Sequence, residues 1–317
     1  MLWLLLFTII MTACGGRFGK KVAAPAPSRE FPEAQVPSIL EEPQERIDWL
    51  VGHFWDRFID PSLTHVQDSL HIGGVPAEEV EKQVGMFATL LQQASSAARK
   101  EAMNKVFTLS EAYTQAHPES EMLARLGELL RKYLYDPSSP VRDEESWLPF
   151  ISRLCTSPLA DPGMVPGYQW ERDICLKNRP GSAAADFAFT DLQGRVRTLY
   201  GINAEYTLLI FGNPDCTGCR QIMTTLRETP QLAQLVESGR LKVVDIYIDE
   251  DVAAWKAQGE SYPKEWINGY DHQRRIQGER IYAVRAIPSL YLLNKDKTVL
   301  LKDAPEDRLM EKLSRLL

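Results

Sequence analysis

The sequence predicts two folded domains, an all-α N-terminal half followed by an α/β half. Its 317 residues exceed the length of one average domain, and 44% hydrophobic with 25% charged residues is an ordinary globular composition. Residues 46–177 repeat their apolar positions at helical spacing, whereas from Gly181 onward short apolar runs alternate with helical segments. We therefore predict a helical domain over 45–177 and an α/β domain over 181–317.

The N-terminus begins with an apolar run, Leu2 to Met11, followed by Thr12, Ala13 and Cys14. This run is shorter than the roughly 20 residues that a membrane-spanning helix needs. A short apolar segment that ends in small residues is typical of a secretory signal peptide, which we place at 1–13. Cys14 resembles the lipobox cysteine of bacterial lipoproteins, and the resemblance implies that it is lipidated as the first residue of the mature chain. The alternative is a buried apolar strand with an incidental cysteine.

Residues 14–44 have the composition of a tether. Proline recurs through this segment, and its apolar residues show no sustained period. We predict an extended, partly ordered chain that holds the folded body away from the membrane to which Cys14 would be attached.

The helical domain is predicted from stripes of apolar residues at spacings of three and four. These stripes lie in 46–60, 77–107 and 119–137. Apolar residues on such stripes form cores far more often than cofactor contacts, so we assign them to packing. The five histidines are dispersed and form no metal-binding motif, so we predict neither a metal nor a cofactor.

The α/β domain is predicted from short runs of apolar and aromatic residues. Residues 206–213 and 241–249 have the composition of buried central strands. Residues 288–294 and 298–303 are predicted to form a hairpin around a polar turn. The segment 304–317 is a terminal amphipathic helix with acids early and bases late, as the helix dipole favours. This order of strands and helices indicates a layered domain.

Two of the five cysteines form a Cys-x-x-Cys pair, Cys216 and Cys219, directly after the first central strand. Cys216 opens a predicted helix, where unpaired backbone N–H groups and the positive end of the helix dipole favour a thiolate. We therefore predict that the pKa of Cys216 falls from about 8.5 toward neutrality and that Cys216 is the nucleophile. Cys219 lies one helical turn further on, within reach of a mixed disulfide on Cys216, and is the predicted resolving thiol.

Three motifs resemble the thioredoxin-fold domain of TlpA-type and ResA-type proteins, namely AADF at 184–187, NPDCTGC at 213–219 and AIPSLYLLNKD at 286–296. The resemblance implies a central mixed sheet flanked by helices and a redox-active Cys216–Cys219 disulfide. It also implies that the Ile287–Pro288 peptide is cis, lies beside the dithiol and binds substrate backbone. The helical domain resembles, less specifically, a domain of unknown function that precedes such modules in bacterial lipoproteins.

Two residues near the dithiol bear on its chemistry. Thioredoxins usually keep a buried acid on the strand that leads to the dithiol, but Ile210 occupies the equivalent position here. Either another base or a water molecule then serves Cys219, or the exchange is slower. Asp215 directly precedes Cys216 and adds a negative charge that should oppose the thiolate.

Other functions of the pair differ in the residues that they require. A zinc site would need a second pair of ligands at close spacing, whereas nineteen residues separate Cys155 and Cys175. A thiol peroxidase of the peroxiredoxin type would need a longer spacing between Pro214 and Cys216. A further alternative is a tethered protein-binding module in which Cys216 and Cys219 form only a structural disulfide. The peroxidase and the binding module stay open as alternatives.

Cys155 and Cys175 are the remaining cysteines of the folded part. Thiols outside the cytosol tend to oxidise, so these two form either a structural disulfide or two separate buried thiols. The sequence does not place them within bonding distance of each other, and both interpretations stay open.

These observations predict a lipid-anchored thiol-disulfide oxidoreductase in the cell envelope, facing the periplasm. We expect it to reduce or rearrange disulfides of envelope proteins and to receive electrons from a membrane thiol-disulfide donor. The formal net charge of −7 argues against nucleic acid as a partner, because neutralising phosphates needs clustered basic residues.

Overall fold

The computed structural model describes residues 28–65, 68–213, 215–259 and 262–317. Cys14, the signal peptide predicted at 1–13 and Pro214 of the dithiol motif lie outside the described residues. Within those residues, no helix is both long enough and apolar enough to cross a membrane.

The N-terminal domain consists of helices with one small hairpin. Its elements are α1 (Pro43–His53), β1 (His71–Ile72), β2 (Val75–Pro76), α2 (Ala77–Gln93), α3 (Ser96–Ala116), α4 (Met122–Leu134), α5 (Glu144–Leu154) and α6 (Val165–Cys175). Their apolar faces pack around a single core. The stripe predicted in 77–107 is divided between α2 and α3, because Ala94 leaves helical backbone and the Ser95 hydroxyl caps α3. That hydroxyl accepts a hydrogen bond from the Ala98 N–H at 3.2 Å.

The described part of the predicted tether lies against this domain. Arg29 donates from Nε to the Gly73 carbonyl at 2.9 Å and from Nη2 to the Phe58 carbonyl at 2.7 Å. Phe31 stacks on Phe58 with 5.0 Å between the ring centroids. The folded body therefore begins before residue 45, the start that the sequence predicts for it, because Arg29 and Phe31 contact residues far along the chain.

The C-terminal domain is a seven-stranded mixed sheet flanked by helices. Its elements are β3 (Ala188–Asp191), β4 (Val196–Thr198), β5 (Tyr206–Gly212), α7 (Thr217–Glu228), α8 (Pro230–Glu237), β6 (Leu241–Tyr247), α9 (Val252–Ala257), β7 (Ile267–Tyr270), α10 (Arg275–Gly278), β8 (Ser289–Asn294), β9 (Val299–Leu301) and α11 (Glu306–Ser314). The strand order is β4-β3-β7-β6-β5-β8-β9, with β5, β6 and β7 parallel and β8 antiparallel to β5. The predicted fold class, an all-α domain followed by an α/β domain, is confirmed.

Strand β5 separates the two cores of this domain. Leu208 and Ile210 face the core that also contains Ile222 of α7, while Leu209 and Phe211 face the opposite core. Side chains alternate between the two faces of a strand, so a run of consecutive apolar residues serves both cores. The strand ends directly before the dithiol and sets the position at which α7 begins.

A buried ionic cluster joins the two domains. Arg285, in the loop before β8, pairs with Glu144 of α5 at 2.9 Å and with Asp303 at 3.2 Å. Lys302 Nζ lies 2.6 Å from the second Glu144 oxygen. The Arg285 guanidinium also donates to the Tyr135 carbonyl and lies 4.1 Å from the centroid of the Tyr135 ring. We call Glu144, Arg285, Lys302 and Asp303 the interface cluster.

Candidate active site

Cys216 lies at the N-terminus of α7 and is half-buried. Its backbone is extended, and its Sγ accepts a hydrogen bond from the Cys219 N–H at 3.2 Å. The sulfur therefore caps the helix where the first N–H groups have no partner within the helix.

Cys219 lies one turn into α7 and is 4% exposed. Burial raises the pKa of its thiol to about 12, with Cys216 and Asp245 adding to the effect and a backbone hydrogen bond from Asn213 opposing it. Cys216 and Cys219 are both free thiols in this structure. The pair thus combines one accessible sulfur with one buried neutral thiol, the asymmetry that a nucleophile and a resolving thiol require.

The Ile287–Pro288 peptide is cis, as the resemblance implied. The Cys216 thiol donates a hydrogen bond to the Ile287 carbonyl at 3.6 Å. Pro288 Cδ lies 3.4 Å from the position that a Cβ on Gly218 would occupy. Both residues of the cis peptide are half-buried, and Ala286 before them is exposed. The structure therefore brings the predicted substrate-binding residues to the predicted nucleophile.

Asp215, which directly precedes Cys216, is exposed. Its carboxylate accepts a hydrogen bond from Gln258 Nε2 at 3.1 Å, and its backbone N–H donates to Asn213 Oδ1 at 2.8 Å. The side chain is thereby directed toward the C-terminal end of α9. The predicted opposition between its charge and the Cys216 thiolate stays a prediction.

A buried carboxylate that the sequence analysis did not identify lies beside the pair. Asp245 is on β6, where its register partners are Ile210 on β5 and Asn268 on β7. Residues side by side in a parallel register point to the same face, so Asp245 faces α7 as Ile210 does. A Cβ on Gly212 would lie 3.5 Å from Cys219 Sγ and 3.8 Å from Asp245 Oδ1. The carboxyl group and the resolving thiol thus face the same small space.

The surroundings of Asp245 leave its charge uncompensated. It is 5% exposed, and burial raises the pKa of its carboxyl to about 7. Tyr262 faces both Asp245 and Cys219, and burial together with these two neighbours raises its pKa, while a hydrogen bond with Asn268 opposes that rise. One signal in the sequence could have identified Asp245, since it is a single acid within the apolar run 243–247.

Cys155 and Cys175 are free, buried thiols of the helical domain. Cys155 forms the C-cap of α5 and Cys175 is the last residue of α6. Burial raises the pKa of both thiols. The two sulfurs are not bonded to each other in this structure, and both interpretations of the pair stay open.

Ligand clusters for a metal are not found in the described parts of the chain. No group of three or more His, Cys, Asp or Glu residues is arranged there in a way that could hold an ion. The described site brings together two thiols and a neighbouring carboxyl group.

Comparison with known proteins gives the family. A model described as a domain of unknown function, DUF5106, matches residues 12–172, which is just over half of the chain. The chain belongs to the DUF5106 family. A second model, described as a thioredoxin-like domain, matches residues 197–303. The family domain thus comprises the helical half, and the thioredoxin-like domain carries the dithiol.

Three solved structures are similar to this chain over different shares of its length. A thioredoxin-like protein from Bacteroides caccae is 32% identical, with 91% of this chain and 99% of that chain covered at a TM-score of 0.79. The C-terminal domain of an uncharacterized Bacteroides fragilis protein is 42% identical, covering 43% of this chain and 98% of its own, at a TM-score of 0.42. A domain of a "possible thiol-disulfide isomerase" from Cytophaga hutchinsonii is 25% identical, covering 44% of this chain and 95% of its own, at a TM-score of 0.38. No curated protein matches the sequence.

Proposed function

We propose that this protein is a thiol-disulfide oxidoreductase that reduces or rearranges disulfides in proteins of the cell envelope. The observation that carries the proposal is the asymmetry of the pair, since the Cys216 sulfur is accessible and caps α7 while Cys219 is buried one turn further on. The thioredoxin-like fold and the position of the cis Ile287–Pro288 peptide beside Cys216 support it.

The proposed exchange has two steps. The Cys216 thiolate attacks one sulfur of a substrate disulfide and forms a mixed disulfide, while the other substrate sulfur leaves as a thiolate and takes a proton from solvent. Cys219 then loses its proton and attacks Cys216 Sγ, so that the Cys216–Cys219 bond forms and the bond to the substrate breaks. Two electrons pass from the dithiol to the substrate, and an external thiol donor must reduce the pair again.

We propose that the substrate backbone binds along the segment before β8. Ala286 is exposed, and the Ile287 carbonyl already accepts a hydrogen bond from the Cys216 thiol. A peptide that lies extended along this segment would present its sulfur to Cys216, with backbone hydrogen bonds giving affinity irrespective of side chains. Such recognition suits a protein that acts on disulfides in several partners.

The test of this function is the Cys219→Ser protein, which retains the nucleophile and lacks the resolving thiol. With insulin as a disulfide-containing probe, we expect this variant to accumulate a mixed disulfide that is visible on a non-reducing gel and released by dithiothreitol. The same variant mixed with envelope proteins would identify physiological substrates.

The matched control is Cys216→Ser, which retains the buried thiol and should form no adduct. A binding module with a structural disulfide predicts a different result, because it would hold its partner without a covalent bond in both variants. Absence of any adduct in Cys219→Ser would exclude the oxidoreductase function.

The direction of transfer is tested by the reduction potential of the Cys216–Cys219 couple in glutathione buffers. We expect a value near or below that of thioredoxin, about −270 mV, because a reductant of envelope disulfides needs a low potential. A value near −120 mV would instead identify an oxidant.

The location in the envelope rests on the sequence around Cys14. We propose that this cysteine carries the lipid anchor and that the donor of electrons is a membrane thiol-disulfide protein. Expression of the complete chain with Cys14→Ala tests the anchor, because loss of lipidation should move the protein from the membrane fraction to the soluble fraction.

A further inference from the structure

The resolving step of the proposed exchange requires a group that removes the proton from Cys219. Burial keeps this thiol neutral, since it is 4% exposed beneath the first turn of α7. A neutral thiol is a poor nucleophile, so its attack on the mixed disulfide needs a proton acceptor within reach. The position from which thioredoxins usually supply one is occupied here by Ile210, which carries no proton.

We propose that Asp245 is the proton acceptor for Cys219. Asp245 lies on β6, the neighbour of β5, and β5 is the strand that leads to the dithiol. This inference rests on the proposed function. Asp245 is the direct register partner of Ile210, so its side chain occupies the same level of the sheet one strand further along. Asp245 Oδ1 and Cys219 Sγ both lie next to the position that a Cβ on Gly212 would occupy, so Gly212 places no side chain between them.

The other groups that face Asp245 do not replace it as an acceptor. Cys219 faces it from α7, Tyr262 from the segment before β7, and the uncharged Asn268 from β7 itself. Tyr262 is a phenol whose pKa is raised further by burial, so at neutral pH it holds its proton. Among the described residues, neither a cation nor a hydrogen-bond donor offsets the burial of Asp245, which leaves its carboxyl titratable near neutrality.

The state of Cys216 makes the transfer easier at the step where it is required. In the dithiol, the hydrogen bond and the charge of Cys216 both raise the pKa of Cys219. In the mixed disulfide, the Cys216 sulfur is bonded to the substrate and carries no charge, so these two contributions are removed. Burial, the charge of Asp245 and the backbone hydrogen bond from Asn213 then remain as the influences on the Cys219 thiol.

The proposed step is balanced. The S–H bond of Cys219 breaks and an O–H bond forms on Asp245, while the Cys219 sulfur attacks Cys216 Sγ. The Cys216–Cys219 disulfide forms, the bond to the substrate sulfur breaks, and that sulfur leaves with the electron pair. The proton on Asp245 passes to the departing thiolate or to solvent, which restores the carboxylate for the next cycle.

The two thiol reactions can be followed separately with Ellman's disulfide reagent and the full-length reduced protein. Attack by Cys216 releases the first chromophore, and attack by Cys219 on the resulting mixed disulfide releases the second. We expect Asp245→Asn to leave the first phase unchanged and to slow the second roughly 100-fold at neutral pH, the usual scale for general-base catalysis. In the wild-type protein the second phase should increase with pH through an inflection near 7, because only the ionised carboxylate accepts a proton.

Three comparisons make the outcome decisive. Cys219→Ser should lose the second phase, which assigns that phase to Cys219. Asp215→Asn removes an exposed carboxylate next to the pair and should retain the inflection. Loss of the inflection in this variant would mean that it reports negative charge near the pair and not the ionisation of Asp245. If Asp245→Asn does not fold, the wild-type profile alone decides, because a second phase without an inflection near 7 overturns the inference.

Failure of this inference and failure of the proposed function give different results. Two normal phases with an unchanged pH profile in Asp245→Asn would exclude Asp245 as the acceptor and leave the oxidoreductase function standing. A wild-type protein that releases no chromophore from Cys216, or never releases the second, would contradict the function itself.

Discussion

Two regions of this protein bury acidic side chains next to cysteines, but they differ in whether cations lie beside those side chains. In the interface cluster, the Glu144 carboxylate lies 2.9 Å from Arg285 and 2.6 Å from Lys302. At the dithiol, Asp245 is equally buried, but burial alone determines its pKa and no cation among the described residues offsets it. Compensated charges hold the interface together, whereas the uncompensated one stays able to exchange a proton near neutral pH.

The cysteines of the two regions differ in the helix end at which they lie. Cys216 caps the N-terminus of α7, where backbone N–H groups face its sulfur. Cys175 is the last residue of α6, and its carbonyl accepts a hydrogen bond from Lys302 of the interface cluster at 2.9 Å. The helix dipole favours a thiolate at the first position and opposes it at the second. We therefore expect Cys216 to be reactive and Cys175 to be inert.

The largest effect is expected from uncoupling the charges of the interface cluster. Arg285→Met should reduce the free energy of unfolding by about 3–5 kcal/mol, because it leaves the buried Glu144 and Asp303 carboxylates with fewer cations. Urea unfolding of the whole chain measures the difference.

The control for this variant is an exposed ion pair of the same chemistry. Arg240 forms an ion pair with Glu205 at 2.8 Å on the surface, so Arg240→Met should change stability far less than Arg285→Met does. Equal effects of the two variants would show that burial does not distinguish the interface cluster from a surface pair.

A smaller effect is expected in the reactivity of the thiols. At neutral pH, iodoacetamide should modify Cys216 at least about tenfold faster than Cys155 or Cys175, because alkylation requires an accessible thiolate. Burial of the latter two thiols and their raised pKa both oppose the reaction. Peptide mass spectrometry after timed quenching gives the order, and equal rates would contradict the contrast between the two helix ends.

Local patterns accounted for much of the fold and of the site. The strand over 206–213, the helix that opens at Cys216 and the strand over 241–249 were predicted from period and composition, and each lies in the structure within a few residues of its predicted position. The two strands and the helix start depend on residues close together in the chain, where backbone preferences and alternation act directly. The cis Ile287–Pro288 peptide was implied by the resemblance to thioredoxin-fold domains.

Contacts between distant segments account for what was not predicted. The sequence shows that Ile210 is not an acid, but only the register between β5 and β6 places Asp245 beside it. Arg29 and Phe31 likewise lie in a segment whose composition is that of a tether. Only their contacts with the helical domain show that this part of the segment belongs to the folded body. In both cases the environment of a side chain is created by a segment that sequence spacing does not identify.

The sequence by itself determined the two-domain order, the helix start at Cys216 and the spacing that puts Cys219 one turn away, because each follows from residues within a few positions of one another. Only the tertiary structure decided which acid lies beside the dithiol and which charges join the domains. Burial and charge compensation depend on residues that meet across strands and domains, and those properties determine whether a carboxylate stabilises the fold or takes part in chemistry.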